Sequence, residues 1–195
     1  MKKAIVLLAL SLVSIANAQK GSVLVMGSVG YISEQGDSHA NDTDRKAFSF
    51  NPKIGYQFTD NWTVGIESMI SNDKYEANPN NYLIETNNYS IGSFVRYTEQ
   101  LGEIFAFYTD LGAGYQNKKS TNSSDSSTTQ ILKGNGFYIG LQPQIRMKIK
   151  KIVDLNFGIG GITYNSINYD NKTTYRGLNI NLGQAYYFGI SRNFN

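Results

Sequence analysis

The sequence contains no cysteine, and it has one histidine and three prolines among its 195 residues. Without cysteine, neither a disulfide framework nor thiolate chemistry is available to the chain, although small exported domains often depend on disulfides. A catalytic triad needs a general base, and His39 is the only histidine in the sequence that could act as one. Charged residues make up only 17% of the chain, and the net charge of +3 provides no basic field that would bind nucleic acid.

Long apolar runs are also absent, except for one at the N-terminus. The run "AIVLLALSLVSIA" follows a basic start at Lys2 and Lys3 and precedes the small-residue motif Ala16-Asn17-Ala18. It is shorter than the roughly 20 apolar residues that a membrane-spanning helix needs, and the three features together are typical of a secretory signal peptide. We therefore predict that residues 1–18 are cleaved and that residues 19–195 form one domain.

Glycine and aromatic residues are abundant, with 19 glycines, 14 tyrosines and 10 phenylalanines. Apolar and polar residues alternate along most of the chain with a period of two, which predicts strands rather than helices. In "FNPKIGYQFTDNWTVGIESMI", two such strands flank the short turn Thr59-Asp60-Asn61. The chain is therefore predicted to be all-β. Eight alternating segments can be placed, near Ser22–Ser33, Lys46–Phe58, Asn61–Ser71, Thr86–Thr98, Ile104–Asn117, Gly134–Lys148, Ile152–Ile167 and Tyr175–Phe194.

The connections between these segments alternate in length. Those after the second, fourth and sixth segments are short ("TDN", "EQLGE" and "KIKK"), whereas the other four are longer and polar. Transmembrane barrels have tight periplasmic turns at one rim and longer loops at the other. The pattern predicts an eight-stranded antiparallel up-and-down transmembrane β-barrel whose polar loops face outside the cell. The tract "STNSSDSSTT" in the fifth connection is predicted to be a flexible loop tip.

The alternation gives the sheet two unlike faces, and no charged residue falls on the apolar one, which carries Ile54, Ile66 and Val95 among others. A lysine or arginine at mid-bilayer on a lipid-facing wall costs roughly 2–4 kcal/mol, so this face is predicted to contact lipid. The other face carries most strand glycines and six charges, predicted to neutralise one another inside the barrel because an unpaired buried charge costs several kcal/mol. This interior polar cluster consists of Lys53, Glu67, Arg96, Asp110, Arg146 and Asp154.

Aromatic residues of the apolar face gather near the ends of the segments. Amphipathic rings prefer the headgroup region of a membrane, so two interfacial belts are predicted. The belt near the short turns consists of Phe58, Trp62, Tyr97, Phe105 and Phe194, and the belt near the long loops consists of Tyr31, Phe48, Tyr89, Tyr115 and Phe137. Aromatic residues also favour strands in general, but their recurrence at both rims favours membrane belts.

Two prolines, Pro52 and Pro143, fall inside predicted strands. Proline has no N–H group to donate to a ladder, and a closed barrel has no free edge where that loss would be harmless. We therefore predict a bulge or a local break of the ladder near each of them.

These patterns resemble the small outer-membrane β-barrel family, which includes the OmpA transmembrane domain and OmpX- and OmpW-like barrels. The segment "FSFNPKIGYQFTDNWTVGIE" resembles the second and third strands of single-domain "porin family" barrels of Gram-negative bacteria, and "YYFGISRNFN" resembles their closing strand. Family members commonly end on an aromatic residue that the insertion machinery reads, whereas here Asn195 follows Phe194. The resemblance implies an integral protein of the bacterial outer membrane that is exported through the periplasm.

The expected role is non-enzymatic, in envelope integrity or surface interaction. Expected partners are outer-membrane lipids, the barrel-insertion machinery and an extracellular ligand bound through the loops, with no nucleic acid; the expected state is a monomer. Three alternatives stay open at this point. One is a narrow pore for ions or small solutes, gated by rearranged interior pairs. Another is a lipid A-modifying enzyme, and the last is a secreted lipocalin-like carrier.

The enzyme alternative depends on the first long connection, "GDSHANDTD", where Ser38, His39 and Asp42 are the only residues that could be recruited locally. A catalytic pair must be held rigidly by its neighbours, and adjacent serine and histidine in a polar loop are usually only loop residues. The aspartates there lack the spacing and the glycine of a calcium loop. No catalytic, cofactor-binding or metal-binding residue is therefore predicted.

Overall fold

The computed structural model describes residues 21–36, 42–78, 82–124, 127–150, 153–182 and 188–194, so the predicted signal peptide lies outside the described residues. Within these ranges, no helix is long and apolar enough to cross a membrane. The described residues form ten strands: β1 Val23–Gly36, β2 Thr43–Gln57, β3 Trp62–Ala77, β4 Tyr82–Gln100, β5 Phe105–Ser124, β6 Ser127–Lys150, β7 Val153–Gly158, β8 Gly160–Tyr169, β9 Thr174–Leu182 and β10 Phe188–Phe194.

The ten strands form one closed antiparallel wall. Strands β1 to β6 pair in chain order, and β6 then pairs with β7 along one half of its length and with β8 along the other. Because β8 pairs with β9 and β7 pairs with β10, the barrel has eight strands, with β7–β8 as the seventh and β9–β10 as the eighth. Pairing of β1 with β10 closes the wall. The predicted eight-stranded antiparallel barrel is confirmed.

The structure corrects the predicted long loops. The described residues of the tract predicted to be a flexible loop tip are paired in strands, since β5 continues to Ser124 and β6 begins at Ser127, with Thr121 opposite Ile131. The ladder continues because each added pair forms backbone hydrogen bonds on a template already in place, and threonine and isoleucine suit a strand. Polar composition alone therefore did not identify a loop here.

Both prolines disturb the ladder, as predicted, but in different ways. At Pro52 the β2–β3 pairing stops at Phe50–Ile70 and resumes at Lys53–Glu67 with its register unchanged. At Pro143 the neighbouring strand is interrupted between β7 and β8, and the register on β6 shifts there by one residue. Ile159 N–H donates to the Pro143 carbonyl at 3.3 Å. The second break is therefore a bulge, with one extra residue on the seventh strand.

The two short connections that the structure describes in full, after β2 and after β4, are tight turns. Phe58 N–H donates to the Trp62 carbonyl at 3.1 Å, and Leu101 N–H donates to the Phe105 carbonyl at 2.9 Å. Gly102 has a φ of +123°, a conformation that glycine adopts at no steric cost. These turns fix which residues begin the next strand, and hence which side chains point inward.

Candidate functional site in the barrel interior

Four of the six predicted interior charges meet in one layer across the barrel, here called the ion-pair layer: Lys53, Glu67, Arg96 and Asp110. They come from four successive strands, β2 to β5. Lys53 is directly opposite Glu67 in the β2–β3 register, and Arg96 is directly opposite Asp110 in the β4–β5 register. Parity of the strands directs all four inward, because alternate residues share a face.

Asp110 joins the two cross-strand pairs. It accepts a two-pronged contact from Arg96, with Nε 2.6 Å from Oδ1 and Nη2 2.9 Å from Oδ2. Lys53 Nζ lies 2.9 Å from Asp110 Oδ2 and 2.7 Å from Glu67 Oε2. The side chains of Arg96 and Asp110 are only 3% and 1% exposed. Two cations and two anions therefore neutralise one another, and the Arg96–Asp110 pair is the part of the layer that is shielded from solvent.

Aromatic rings complete the layer. The Arg96 guanidinium lies 3.8 Å from the centre of the Tyr108 ring, and Lys53 Nζ lies 5.1 Å from the centre of the Phe94 ring. Cations over such ring faces are attracted by the negative face of the π-system. Tyr138 donates from its hydroxyl to Glu67 Oε1 at 2.8 Å. Each carboxylate of the layer thus has at least two partners, which offsets the cost of burying it.

Two glycines make room for these long side chains. A Cβ atom at Gly112 would lie 2.3 Å from Glu67 Oε1, and a Cβ atom at Gly92 would lie 2.5 Å from the Tyr138 hydroxyl oxygen. Such distances are far inside van der Waals contact. The glycines on the inner face therefore have a steric role, in that they allow Glu67 and Tyr138 to lie against the barrel wall.

A network of neutral polar side chains adjoins the layer on its short-turn side. The Tyr108 hydroxyl lies 2.6 Å from Gln144 Oε1 and 3.0 Å from Asn156 Oδ1, and Asn156 Nδ2 donates to Ser191 Oγ at 2.9 Å. All four side chains are at most 1% exposed. Because interior side chains here pack tightly and satisfy one another, the network closes the barrel below the ion-pair layer.

Arg146 and Asp154, the other two predicted interior charges, do not join the layer. They form a separate, looser pair with Arg146 Nε 3.9 Å from Asp154 Oδ2, and their side chains are 18% and 16% exposed. They lie on β6 and β7 near the connection at residues 151–152. The structure therefore divides the predicted cluster into a four-membered layer and one pair close to the short-turn rim.

Above the ion-pair layer the interior opens into a cavity of about 750 Å³, here called the outer vestibule. Lys53, Glu67 and Gln144 form its floor, and Tyr169 and Tyr175 reach it from the strands that flank the last turn. Hydroxyl and amide side chains dominate the wall: Ser28, Ser49, Ser68, Ser71, Ser90, Thr86, Thr163, Asn51, Asn88, Asn165, Gln116 and Gln142.

Part of this wall was not predicted from the sequence, because the bulge opposite Pro143 reverses the parity of the seventh strand. Below the bulge, Asp154 and Asn156 face inward; above it, Thr163 and Asn165 line the vestibule. A signal for this was present: two glycines in succession stand at residues 160–161, opposite a strand proline. Glycine within a strand often marks a bulge, and one extra residue moves every later side chain to the other face.

The outer surface of the barrel is apolar between two rings of aromatic side chains. Phe105 and Tyr115 on β5 are 45% and 51% exposed and are separated by roughly 34 Å of strand, which projects to about 26 Å at a typical tilt of about 40°. Trp62 packs edge-on against Tyr97, with ring centres 5.1 Å apart. The projected height of about 26 Å between Phe105 and Tyr115 matches the roughly 25 Å apolar band of a membrane barrel.

The predicted belt residues occupy these two levels. Exposed on the outer surface are Phe58, Trp62, Tyr97 and Phe105 at the short-turn level and Tyr31, Phe48, Tyr89, Tyr115 and Phe137 at the other level. The side chain of Phe194 lies outside what the structure describes.

Beyond the upper aromatic level, the strands continue as a polar extension with its own ion pairs. Arg45 binds Asp73, with Nη2 2.8 Å from Oδ2, and reaches Glu34 at 3.4 Å. The pKa of Arg45 is raised above its usual value, first by the hydrogen bond to Asp73 and then by the Coulombic attraction between the two groups. These side chains are 38–63% exposed, so each pair contributes little to stability.

Ser38 and His39, the residues on which an enzymatic reading would depend, lie outside the described residues, whereas Asp42 is exposed beside the start of β2. Within the described ranges, no group of three or more histidine, aspartate or glutamate side chains is arranged to hold a metal ion.

Comparison with known proteins agrees with this architecture. A family model described as "Outer membrane protein beta-barrel domain" matches residues 5–188. The crystal structure of Ail, the attachment invasion locus protein of Yersinia pestis, in complex with the heparin analogue sucrose octasulfate is similar, with a TM-score of 0.52 and 14% identity over 91% of this chain and 100% of that one. A major outer membrane protein from Thermus thermophilus gives a TM-score of 0.57 and 10% identity over 90% of this chain and 100% of that one. At such identities the likeness shows the fold alone. The search of curated proteins gave no match.

Proposed function

The chain belongs to the outer membrane protein beta-barrel domain family and is a protein of the bacterial outer membrane, and from this premise we propose that it is a sealed, non-enzymatic barrel. In this proposal the barrel contributes to the integrity of the cell envelope, and its strand extensions face the cell exterior, where they are available for surface interaction. It acts as a monomer, in contact with outer-membrane lipids.

The observation that carries the sealed state is the filled cross-section of the barrel. The ion-pair layer is followed directly by the network of Tyr108, Gln144 and Asn156, in which the buried polar groups satisfy one another. Opening a path through this section would separate Arg96 or Lys53 from Asp110. Breaking a buried pair by removing one partner costs about 3–5 kcal/mol, so spontaneous opening is expected to be rare.

Planar-bilayer recording tests the sealed state. The purified barrel is expected to give no steady single-channel steps. The triple variant Arg96→Gly/Tyr108→Gly/Asp110→Gly leaves the net charge unchanged while deleting the centre of the layer and the Tyr108 ring that joins the layer to the network below it, so it is expected to conduct. The control Arg45→Gly/Asp73→Gly removes an arginine–aspartate pair from the exposed extension and is expected to stay silent. Steady steps from the unmodified barrel would establish a narrow pore instead.

Surface presentation requires the strand extensions to lie outside the cell. Lys119 and Lys133 are exposed and directly opposite one another on the β5–β6 hairpin, whereas Lys148 is exposed near the short-turn rim. An amine-reactive reagent that cannot cross membranes is expected to label Lys119 and Lys133 on intact cells and to spare Lys148 until the cells are lysed. Labelling of Lys148 alone on intact cells would reverse the proposed orientation.

The non-enzymatic reading has its own test. If this barrel modified lipid A with a histidine as its catalytic base, that base would be His39, because it is the only histidine in the chain. Mass spectrometry of lipid A from cells that express the wild-type protein or the His39→Ala variant is expected to give identical profiles. A lipid A species that depends on His39 would establish an enzyme.

A further inference from the structure

The outer vestibule is a polar cavity with almost no uncompensated charge. Four charged side chains line it: Lys53, Glu67, Asp73 and Lys118. Lys53 and Glu67 bind one another at 2.7 Å, and Asp73 binds Arg45 at 2.8 Å. Lys118 alone has no carboxylate partner among the described residues. The vestibule therefore offers no field that would attract a polyanion, and at most one cationic contact to a ligand.

Several hydrogen-bonding groups in the wall are unused. The side chains of Ser49, Ser71, Gln142 and Thr163 line the vestibule and make no hydrogen bond to another described residue, while Asn88 has a buried Oδ1 with no partner. Neighbouring groups are satisfied within the protein, as where Gln116 Nε2 donates to Asn165 Oδ1. The unused groups therefore stand out against a wall that is otherwise internally bonded.

The chemistry of these groups selects a class of ligand. Hydroxyl and carboxamide side chains both donate and accept hydrogen bonds, as the hydroxyl groups of a sugar do. An apolar ligand would leave the wall groups buried without partners, at a cost for each of them. A nucleotide or another polyanion would find a single unpaired lysine. The volume of about 750 Å³ lies within the range of roughly 300–1,000 Å³ that is usual for small-molecule sites.

The mouth of the vestibule adds two aromatic surfaces. Tyr169 and Tyr175 both line it, and a Cβ atom at Gly134 would lie 2.6 Å from the Tyr169 ring, so this glycine allows the ring to lie flat against the neighbouring strand. Tyrosine presents an apolar face with a polar tip, which suits a sugar ring with its apolar C–H face and polar rim. Lys118 stands opposite Gly134 in the β5–β6 register, beside this surface.

We propose that the outer vestibule is a binding site for a polyhydroxylated, saccharide-like ligand of about two sugar rings, and that Lys118 favours a ligand that carries one acidic group. The site is reached from the cell exterior and ends on the ion-pair layer. This inference rests on the sealed barrel proposed above, because in an open channel the same cavity would be an entrance and not a site.

Trehalose and trehalose 6-phosphate form a matched pair of probes that differ by one acidic group. Each is titrated into the isotopically labelled barrel in lipid nanodiscs, and the side-chain amide resonances of Gln142 and Asn165 are followed by NMR. Saturable shifts are expected with both probes. The phosphate is expected to bind about two- to fivefold more tightly than trehalose, and this preference is expected to vanish in Lys118→Gln.

The variant Thr163→Val removes one unused hydroxyl at nearly constant volume and is expected to weaken trehalose binding by about two- to tenfold. Thr109→Val is the matched control, because Thr109 lies in the same sheet at a position of outward parity between Phe107 and Leu111. Heat-dependent gel migration shows that each variant is folded. Lys118→Gln provides a second folded variant should Thr163→Val fail to form the barrel.

The absence of any saturable shift with either probe, or equal weakening by Thr163→Val and Thr109→Val, would overturn the site and leave a water-filled cavity. Conductance without sugar is measured on the same preparations and separates the two proposals. A silent barrel that binds neither probe overturns only the site, whereas a conducting barrel overturns the sealed function whatever the sugars do.

Discussion

Two arginine–aspartate pairs in this barrel have nearly the same geometry and very different surroundings. Arg96 holds Asp110 through Nε and Nη2 at 2.6 and 2.9 Å, and Arg45 holds Asp73 through the same two nitrogens at 3.3 and 2.8 Å. The first pair is at most 3% exposed, whereas the second is about 40% exposed. Contact geometry alone therefore cannot predict the contribution of either pair to stability.

The difference arises from what each aspartate would do if its arginine were lost. Asp73 would be hydrated at once, so its pair is expected to contribute about 0–1 kcal/mol. Asp110 would stay buried beside Lys53, in a section of the barrel that water does not reach. The buried Arg96–Asp110 pair thus specifies a single arrangement of the interior, whereas the exposed Arg45–Asp73 pair contributes little to the stability of the extension.

The largest expected effect is that of Asp110→Ala. It removes the carboxylate that holds both Arg96 and Lys53, and it is expected to lower the free energy of unfolding by about 3–5 kcal/mol. Urea titration of the barrel in lipid, followed by the fluorescence of Trp62, measures the change. Asp73→Ala is the control and is expected to cost no more than about 1 kcal/mol. Equal costs for the two variants would break the comparison.

A charge placed in lipid provides a third environment. Ile66 is exposed on the outer surface of β3, midway between Trp62 and Ile70 and directly next to the inward Glu67. Ile66→Arg is expected to lower the free energy of unfolding by about 2–4 kcal/mol, because it puts an unpaired cation near the middle of the bilayer. Ile70→Arg, level with the Tyr89 belt in the β3–β4 register, is expected to cost only about 0–1 kcal/mol. If Ile66→Arg left the free energy of unfolding nearly unchanged, this face of the sheet would not contact lipid.

Two tyrosine–glutamate hydrogen bonds repeat the comparison with a neutral donor. Tyr138 donates to Glu67 and Tyr97 donates to Glu99, both at 2.8 Å, but only the first bond lies inside the barrel. Tyr138→Phe is expected to cost about 1.5–3 kcal/mol, the usual range for a hydrogen bond to a charged group. Tyr97→Phe is expected to change the same unfolding transition by less than about 0.5 kcal/mol. Similar costs would show that the position of the Tyr138–Glu67 bond inside the barrel adds nothing to its contribution to stability.

The sequence predicts one part of this arrangement well. Strand parity alone separates Lys53, Glu67 and Arg96 from Ile54, Ile66 and Val95, since successive side chains of a strand point to opposite faces. A soluble sheet can also have one charge-free and one charge-rich face, so the inward direction of the charges is predicted from the alternation of short and long connections. The fold class and the inward direction of the charges follow from local chemistry.

The rest depends on contacts that local patterns do not contain. Lys53 reaches Asp110 across the interior, a contact between β2 and β5, and no spacing in the sequence indicates it. The parity change that turns Thr163 and Asn165 into the vestibule depends on one inserted residue opposite Pro143. The polar end of β5, up to Ser124, is stabilised by its pairing with β6. This pairing outweighs a composition that is typical of loops.

Salt provides the smallest expected effect and the finest test of the comparison. Arg45→Ala is expected to lower the free energy of unfolding by no more than about 1 kcal/mol in dilute buffer. In 1 M salt, where the Debye length falls to about 3 Å, the difference in stability between Arg45→Ala and the wild type is expected to disappear. The cost of Arg96→Ala is expected to be the same at both salt concentrations, because ions do not enter the buried layer. Unfolding titrations of the wild type and both variants at about 0.05 and 1 M NaCl measure the four differences. A salt-sensitive cost at Arg96 would mean that solvent reaches the layer, and the buried and exposed pairs would then differ in degree and not in kind.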